Sequence, residues 1–183
     1  IPVHLMRDGG EQYKEDYLAL NPQGRVPTLV DGDLTLGQSL AIIEYLEEKY
    51  PTPPLLPQDL GARAKARQIA QAIACDVHPL NNLRVLQYLG HTIGASQEVK
   101  DAWYQHWIRD GLTAVEKLVA GDGPYCLGGE VTLADLLLIP QLYNAHRFQA
   151  PLDDCPRLLA IEAACLKLPA FDQAQPENQP DAI

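Results

Sequence analysis

Apolar residues in the first fifty positions come in short runs broken by turn formers. Ile1-Pro2-Val3-His4-Leu5 alternates like a strand, and Asp8-Gly9-Gly10 is a turn. Tyr13, Tyr17, Leu18 and Leu20 lie among charges and predict an amphipathic helix from Glu11 to Leu20. Pro27 to Val30 and Leu34 to Leu36 read as strands joined through Asp31-Gly32, a type I′ hairpin signal. A helix follows from Ser39 to about Lys49, so the order of this half is β-α-β-β-α. Tyr50 to Asp59 carries Pro51, Pro53, Pro54 and Pro57, which cannot continue a helix. Leu55 and Leu56 are expected to pack down and keep this linker ordered.

Beyond the linker only helical periodicity remains. One long helix is predicted from Leu60 to Leu89, kinked at Pro79. A second runs from Ser96 to Ala120, with Trp103 and Trp107 on one face as core or interface, and ends at Gly121-Asp122-Gly123-Pro124. A third covers Thr132 to Phe148 and contains Pro140; a fourth covers Pro156 to Lys167. Thr132 and Asp135 have the spacing of a capping box, with Val131 and Leu136 as its hydrophobic staple. The tail from Gln175 to Ile183 is polar and expected to be loosely held. The domains are therefore 1–50, a linker at 51–59, and an all-helical part at 60–183.

The densest chemistry lies between Asn21 and Ser39. Val26 precedes Pro27 where a strand opens, and such a bond is a candidate for the cis form. A cis bond there turns the backbone N–H and C=O of Val26 off the ladder. Gln38-Ser39 stands in front of an apolar helix, where a hydroxyl beside unpaired N–H groups makes a seat for a carboxylate. Taken singly, these are an ordinary strand start and a plain N-cap. Together they describe a site for a small peptide acid, and glutathione fits.

The net charge of −10 and the pI of about 4.8 argue against nucleic acid or an anionic membrane as partner. Cys75, Cys126, Cys155 and Cys165 show neither C-x-x-C nor metal-ligand spacing, so no metal is expected. They read as reduced thiols of a cytoplasmic protein. No apolar run reaches membrane-spanning length.

Ala19-Leu20-Asn21-Pro22, Val26-Pro27-Thr28-Leu29, Gln38 to Glu48, Pro51 to Pro57, His78-Pro79-Leu80-Asn81-Asn82-Leu83-Arg84 and Ala145-His146-Arg147-Phe148 together resemble the glutathione transferase superfamily. The finer likeness is to the zeta class, the maleylacetoacetate and maleylpyruvate isomerases. It extends over nearly the whole chain. It implies a thioredoxin-like α/β first domain followed by an all-α domain. The family's Ser-Ser-Cys-like thiol-activating segment has no counterpart in this sequence, which starts at what reads as the second strand; the first strand and helix are expected upstream of Ile1.

The resemblance implies glutathione as cofactor, its thiolate adding to a cis alkene and leaving after rotation. It assigns glutathione contacts to Gln12, Val26, Gln38, Ser39, His78, Asn82, Leu83 and Arg84. Arg147 and His78 are the catalytic candidates, Arg147 by pairing with a substrate carboxylate. Arg84 is a weaker candidate for that pairing. His4, His91, His106 and His146 belong to no constellation and read as structural or solvated. A homodimer is implied as well. The alternatives are a zeta-like transferase acting on α-halo acids, and a non-catalytic glutathione-fold binding module.

Overall fold

The computed structural model describes residues 1–180 and 182; Asp181 and Ile183, at the end of the polar tail, lie outside the described residues. The chain divides near the proline-rich segment into a first unit, Ile1–Pro53, and a second, Pro54–Gln179.

In the first unit, α1 (Glu15–Leu20) leads to strands β1 (Thr28–Asp31) and β2 (Leu34–Gly37), and then α2 (Ser39–Lys49). The strands are antiparallel, with Thr28 opposite Gly37 and Asp31 opposite Leu34. The hairpin departs from the expected type I′ turn. Its loop is Gly32-Asp33, and only Gly32 has a positive φ (+60°). That sign pattern belongs to type II′, which needs glycine at the first loop position alone.

Residues 1–5 are not a strand. The described sheet holds only β1 and β2, so this segment has no ladder to join. His4 is engaged locally instead. Its N–H donates to Glu11 Oε2 at 2.8 Å, and its Nδ1 accepts from the Arg7 N–H at 2.8 Å. The predicted helix from Glu11 is also interrupted. Lys14 is extended (φ −69°, ψ 149°), leaving a 3-10 turn at Glu11–Tyr13 ahead of α1.

The second unit holds α3 (Leu60–Gln71), α4 (Leu83–His91), α5 (Gln97–Leu118), α6 (Leu133–Arg147), α7 (Pro156–Cys165) and α8 (Pro169–Ala174). The single long helix expected over Leu60 to Leu89 is in fact three pieces. A π-helical turn, Ala72–Val77, follows α3, then a 3-10 turn, His78–Asn81, and an extended Asn82 starts α4. Pro79 is the cause. It has no N–H, and its ring collides with the carbonyl four residues back unless the helix widens. The widened bond is present: the His78 N–H reaches the Ile73 carbonyl.

Core residues Ile69, Ile73, Ile108, Leu138, Leu142 and Leu158 bring α3, the π turn, α5, α6 and α7 together. The capping box forms, with Asp135 Oδ2 accepting from the Thr132 N–H at 2.8 Å and Oδ1 from the Cys126 N–H at 2.8 Å. The linker packs as expected: Leu56 is buried, and the Leu55 carbonyl accepts from the Leu133 N–H at 2.9 Å. The tail is better anchored than expected, since Tyr143 Oη donates to Glu177 at 2.9 Å. Cys126, Cys155 and Cys165 are buried, Cys75 is exposed, and none forms a disulfide. Burial raises all three buried thiols, Cys165 to about 12. No helix among the described residues is long and apolar enough to cross a membrane.

Candidate active site

In the first unit a framework of polar bonds runs from Gln38 through Gln23 and Asn21 to the Arg25 carbonyl, next to Val26. Asn21 is buried and uses both ends of its amide. Nδ2 donates to the Arg25 carbonyl at 2.8 Å and to Thr28 Oγ1 at 3.1 Å, and Oδ1 accepts from the Gln23 N–H at 3.1 Å. Tyr17 Oη donates to the same Arg25 carbonyl at 2.6 Å. These bonds clamp the residue ahead of Val26. The Val26-Pro27 bond is cis, Val26 is exposed, and its backbone N–H and C=O have no partner among the described residues.

Gln38 caps α2 with a left-handed φ of 71°, a costly conformation for a residue with a Cβ. Its side chain contributes no cap bond to the helix; Nε2 donates instead to Gln23 Oε1 at 2.8 Å. The first-turn N–H groups of α2 therefore stay open beside the half-buried Ser39. Gln12 is 3% exposed; Nε2 donates to the Leu5 carbonyl at 3.3 Å, and Oε1 has no partner. Arg25, which sequence reasoning passed over, has a buried Nε without an acceptor. A free backbone edge, an uncapped helix start, an open amide oxygen and an open guanidinium donor fit an extended peptide bearing carboxylates.

In the second unit His78 opens the 3-10 turn ahead of α4, and Asn82, Leu83 and Arg84 form the start of α4. Asn82 is the N-cap of α4, its side chain accepting from the Arg84 N–H at 3.3 Å. Leu83 is half-buried and Arg84 exposed. His78 has an exposed rim, but its inner side is packed. That burial holds the imidazole below its usual value, and the neighbouring Gln141 side chain opposes the shift.

Two features of α5 hold this turn: Trp103, expected from the sequence to be core or interface, and Gly111, which the sequence reading did not single out. Trp103 Nε1 donates to the Leu80 carbonyl at 2.8 Å, so Trp103 supports the turn as well as meeting Trp107 edge-on at 5.7 Å. Gly111 sits where any Cβ would fall inside the Val77 side chain, and this lets the π turn lie close on α5.

Arg147 ends α6. It is exposed, its guanidinium lies 5.7 Å from the Phe148 ring centroid, and it has no ion-pair partner among the described residues. Phe148 stacks on Tyr104 at 3.7 Å. Burial raises the Tyr104 phenol to about 12, although the Arg147 charge pulls the other way. His146, next in line, is paired with Glu162 Oε2 at 2.9 Å. A surface groove of about 680 Å³ runs along α3 past Arg63, Arg67 and Cys75 and includes none of the expected site residues.

Residues 1–54 match the family model for the glutathione S-transferase N-terminal domain, and residues 97–163 that for the C-terminal domain. The chain is 50% identical over 181 residues to a probable maleylacetoacetate isomerase of Vibrio cholerae, covering 98% of this chain and 84% of that protein. The solved holo structure of a maleyl pyruvate isomerase, a bacterial zeta-class glutathione S-transferase, aligns with a TM-score of 0.92 at 46% identity over 94% of this chain and 83% of that one. A maleylacetoacetate isomerase from Methylobacterium extorquens AM1, solved with bound malonate and GSH, aligns with a TM-score of 0.91 at 41% identity over 96% of this chain and 84% of that one.

Proposed function

The chain belongs to the glutathione S-transferase family, in its zeta class, and on that premise we propose that it is a glutathione-dependent cis–trans isomerase of a maleyl diacid, maleylacetoacetate or maleylpyruvate. The observation that carries this reading is the free Val26 backbone set beside the uncapped start of α2. When bound, glutathione supplies a thiolate that adds reversibly to the cis double bond and permits rotation before it leaves.

The residues of this chain do the holding. Val26 pairs its N–H and C=O with the peptide, as an added strand would. The first-turn N–H groups of α2 and the Ser39 hydroxyl receive the γ-glutamyl carboxylate, helped by the helix dipole. Gln38 fixes the approach to that seat, and Gln12 offers its open Oε1 to a donor on the ligand. His78, Asn82, Leu83 and Arg84 supply the contacts from the second unit. Arg147, a planar fork free of any carboxylate partner, takes a carboxylate of the diacid and steadies negative charge that develops during the reaction. A homodimer working in the cytoplasm belongs to the same proposal; light scattering of the purified protein tests its oligomeric part.

The complete gene product, given glutathione, is expected to convert maleylacetoacetate or maleylpyruvate to the trans isomer, followed by proton NMR. Dichloroacetate turned over far faster than either maleyl acid would replace this reading with that of a halo-acid transferase. Arg147→Ala is expected to raise the substrate KM or lower kcat while leaving glutathione affinity unchanged.

A further inference from the structure

We propose that Phe148 is a positioning residue for Arg147: its ring, stacked on the buried Tyr104 of α5, fixes the direction in which the guanidinium is presented. The inference rests on the reading of Arg147 as the partner of a substrate carboxylate, and it names what aims that side chain.

Arg147 is the last residue of α6 and is exposed. A long exposed side chain at a helix end samples many rotamers, and binding a small diacid must then overcome the entropy of ordering it. The backbone beneath it is closed by a Schellman motif. Gln149 takes the left-handed position, with φ +53°. Its N–H donates to the His146 carbonyl at 3.1 Å, and the Ala150 N–H donates to the Ala145 carbonyl at 2.9 Å. Ala145 and Ala150 are both buried, as the apolar pair of such a motif should be.

The residues on either side of Arg147 are tied to other helices. His146 pairs with Glu162 of α7 at 2.9 Å. Phe148 is held from α5 in two ways. Its ring stacks on Tyr104, 3% exposed, at 3.7 Å, and its carbonyl accepts from Gln105 Nε2 at 3.2 Å. Tyr104 and Gln105 are consecutive, so one turn of α5 grips both the ring and the main chain of Phe148.

Arg147 itself has no ion-pair partner among the described residues, and its guanidinium carbon lies 5.7 Å from the Phe148 ring centroid. Within about 6 Å the negative face of an aromatic ring attracts a cation. That attraction restrains the guanidinium without using its N–H donors, which stay open to a carboxylate. A carboxylate of the protein would restrain it too, but would compete with the substrate.

The test uses the complete gene product. Without ligand, nitrogen-15 relaxation of the Arg147 Nε–H is expected to give an order parameter above about 0.6 in the wild type and below it in Phe148→Leu. Phe148→Tyr keeps the ring and is expected to retain the wild-type value. With glutathione present, Phe148→Leu is expected to raise KM for the maleyl acid about three- to tenfold and leave the glutathione Kd unchanged. Gln105→Met, which loses the bond to the Phe148 carbonyl, is expected to act in the same direction and less. In an Arg147→Ala background Phe148→Leu should add nothing further to KM. An order parameter unaltered by Phe148→Leu, or the same KM rise with and without Arg147, would overturn the proposal. The relaxation measurement needs no substrate. If Phe148→Leu frees the guanidinium while Arg147→Ala leaves turnover unaltered, the positioning stands and the functional reading of Arg147 alone fails.

Discussion

Ile42 is the sole buried apolar side chain of the first unit among the described residues, and Gln12 and Asn21 are buried with it. The second unit has a continuous core, with Ile69, Ile108, Leu112, Leu138, Leu142 and Leu158 fully buried. The first is ordered by directed bonds onto its own backbone, the second by apolar packing between helices. The chemistry follows that division. A unit organised through main-chain bonds presents main-chain groups at Val26 and at the start of α2. A unit organised through side-chain packing presents side chains, His78 and Arg147, from its helix ends. The proposed function uses both: main-chain groups of the first unit for the peptide cofactor, and the Arg147 side chain of the second for the diacid.

Four measurements would break or sharpen this contrast. Leu142→Ala removes a fully buried side chain and is expected to cost about 2–5 kcal/mol in urea unfolding. Leu34→Ala, at a side chain already 38% exposed, should cost less than about 1 kcal/mol, and equal losses would abolish the distinction. Asn21→Ala is expected to cost the first unit about 3 kcal/mol, roughly 1 for each of three bonds, read as faster hydrogen exchange in the β1–β2 hairpin. Ser39→Ala should weaken glutathione binding by about 2 kcal/mol, roughly thirtyfold in Kd by calorimetry, with no change in unfolding of the second unit.

The smallest effect concerns pH. Asp31 accepts hydrogen bonds from Lys49 and, at 2.8 Å, from Tyr45, and these hold its carboxyl below the usual value. A lowered carboxyl stabilises the fold above its unfolded pKa, and that contribution is lost as pH falls through the depressed folded value. Asp31→Asn should therefore flatten the acid limb of hairpin stability, and salt should mute the difference because the pair is exposed.

The order of elements was legible wherever local chemistry sufficed. Glycine at the hairpin, Thr132 with Asp135 at the head of α6, and the prolines between the units each act through their immediate neighbours. The reading failed where the outcome depended on distant partners. Residues 1–5 alternate like a strand, yet a strand exists only with a ladder beside it. Pro79 announced a disturbance, but a kink and a widened turn look alike in one dimension. Gly111 reads as a weak point in a helix until Val77 is seen against it. Trp103, which holds the turn at Leu80, shares this character. It matters through a contact made across 23 residues, and no spacing rule reports it. Gln38 and Ser39 were visible because a helix start is a local event.

The widened turn at Ala72–Val77 has one more effect. Each residue in a regular helix turns the chain by about 100°, and bonds reaching five places back instead of four absorb one residue without advancing the axis in the usual way. Downstream groups are thereby re-phased, as by a spacer in a screw thread. Deleting a single residue here would keep every reactive atom of the protein and send the imidazole out on a different bearing. Alignments that close such a gap for tidiness would match the letters and lose the aim.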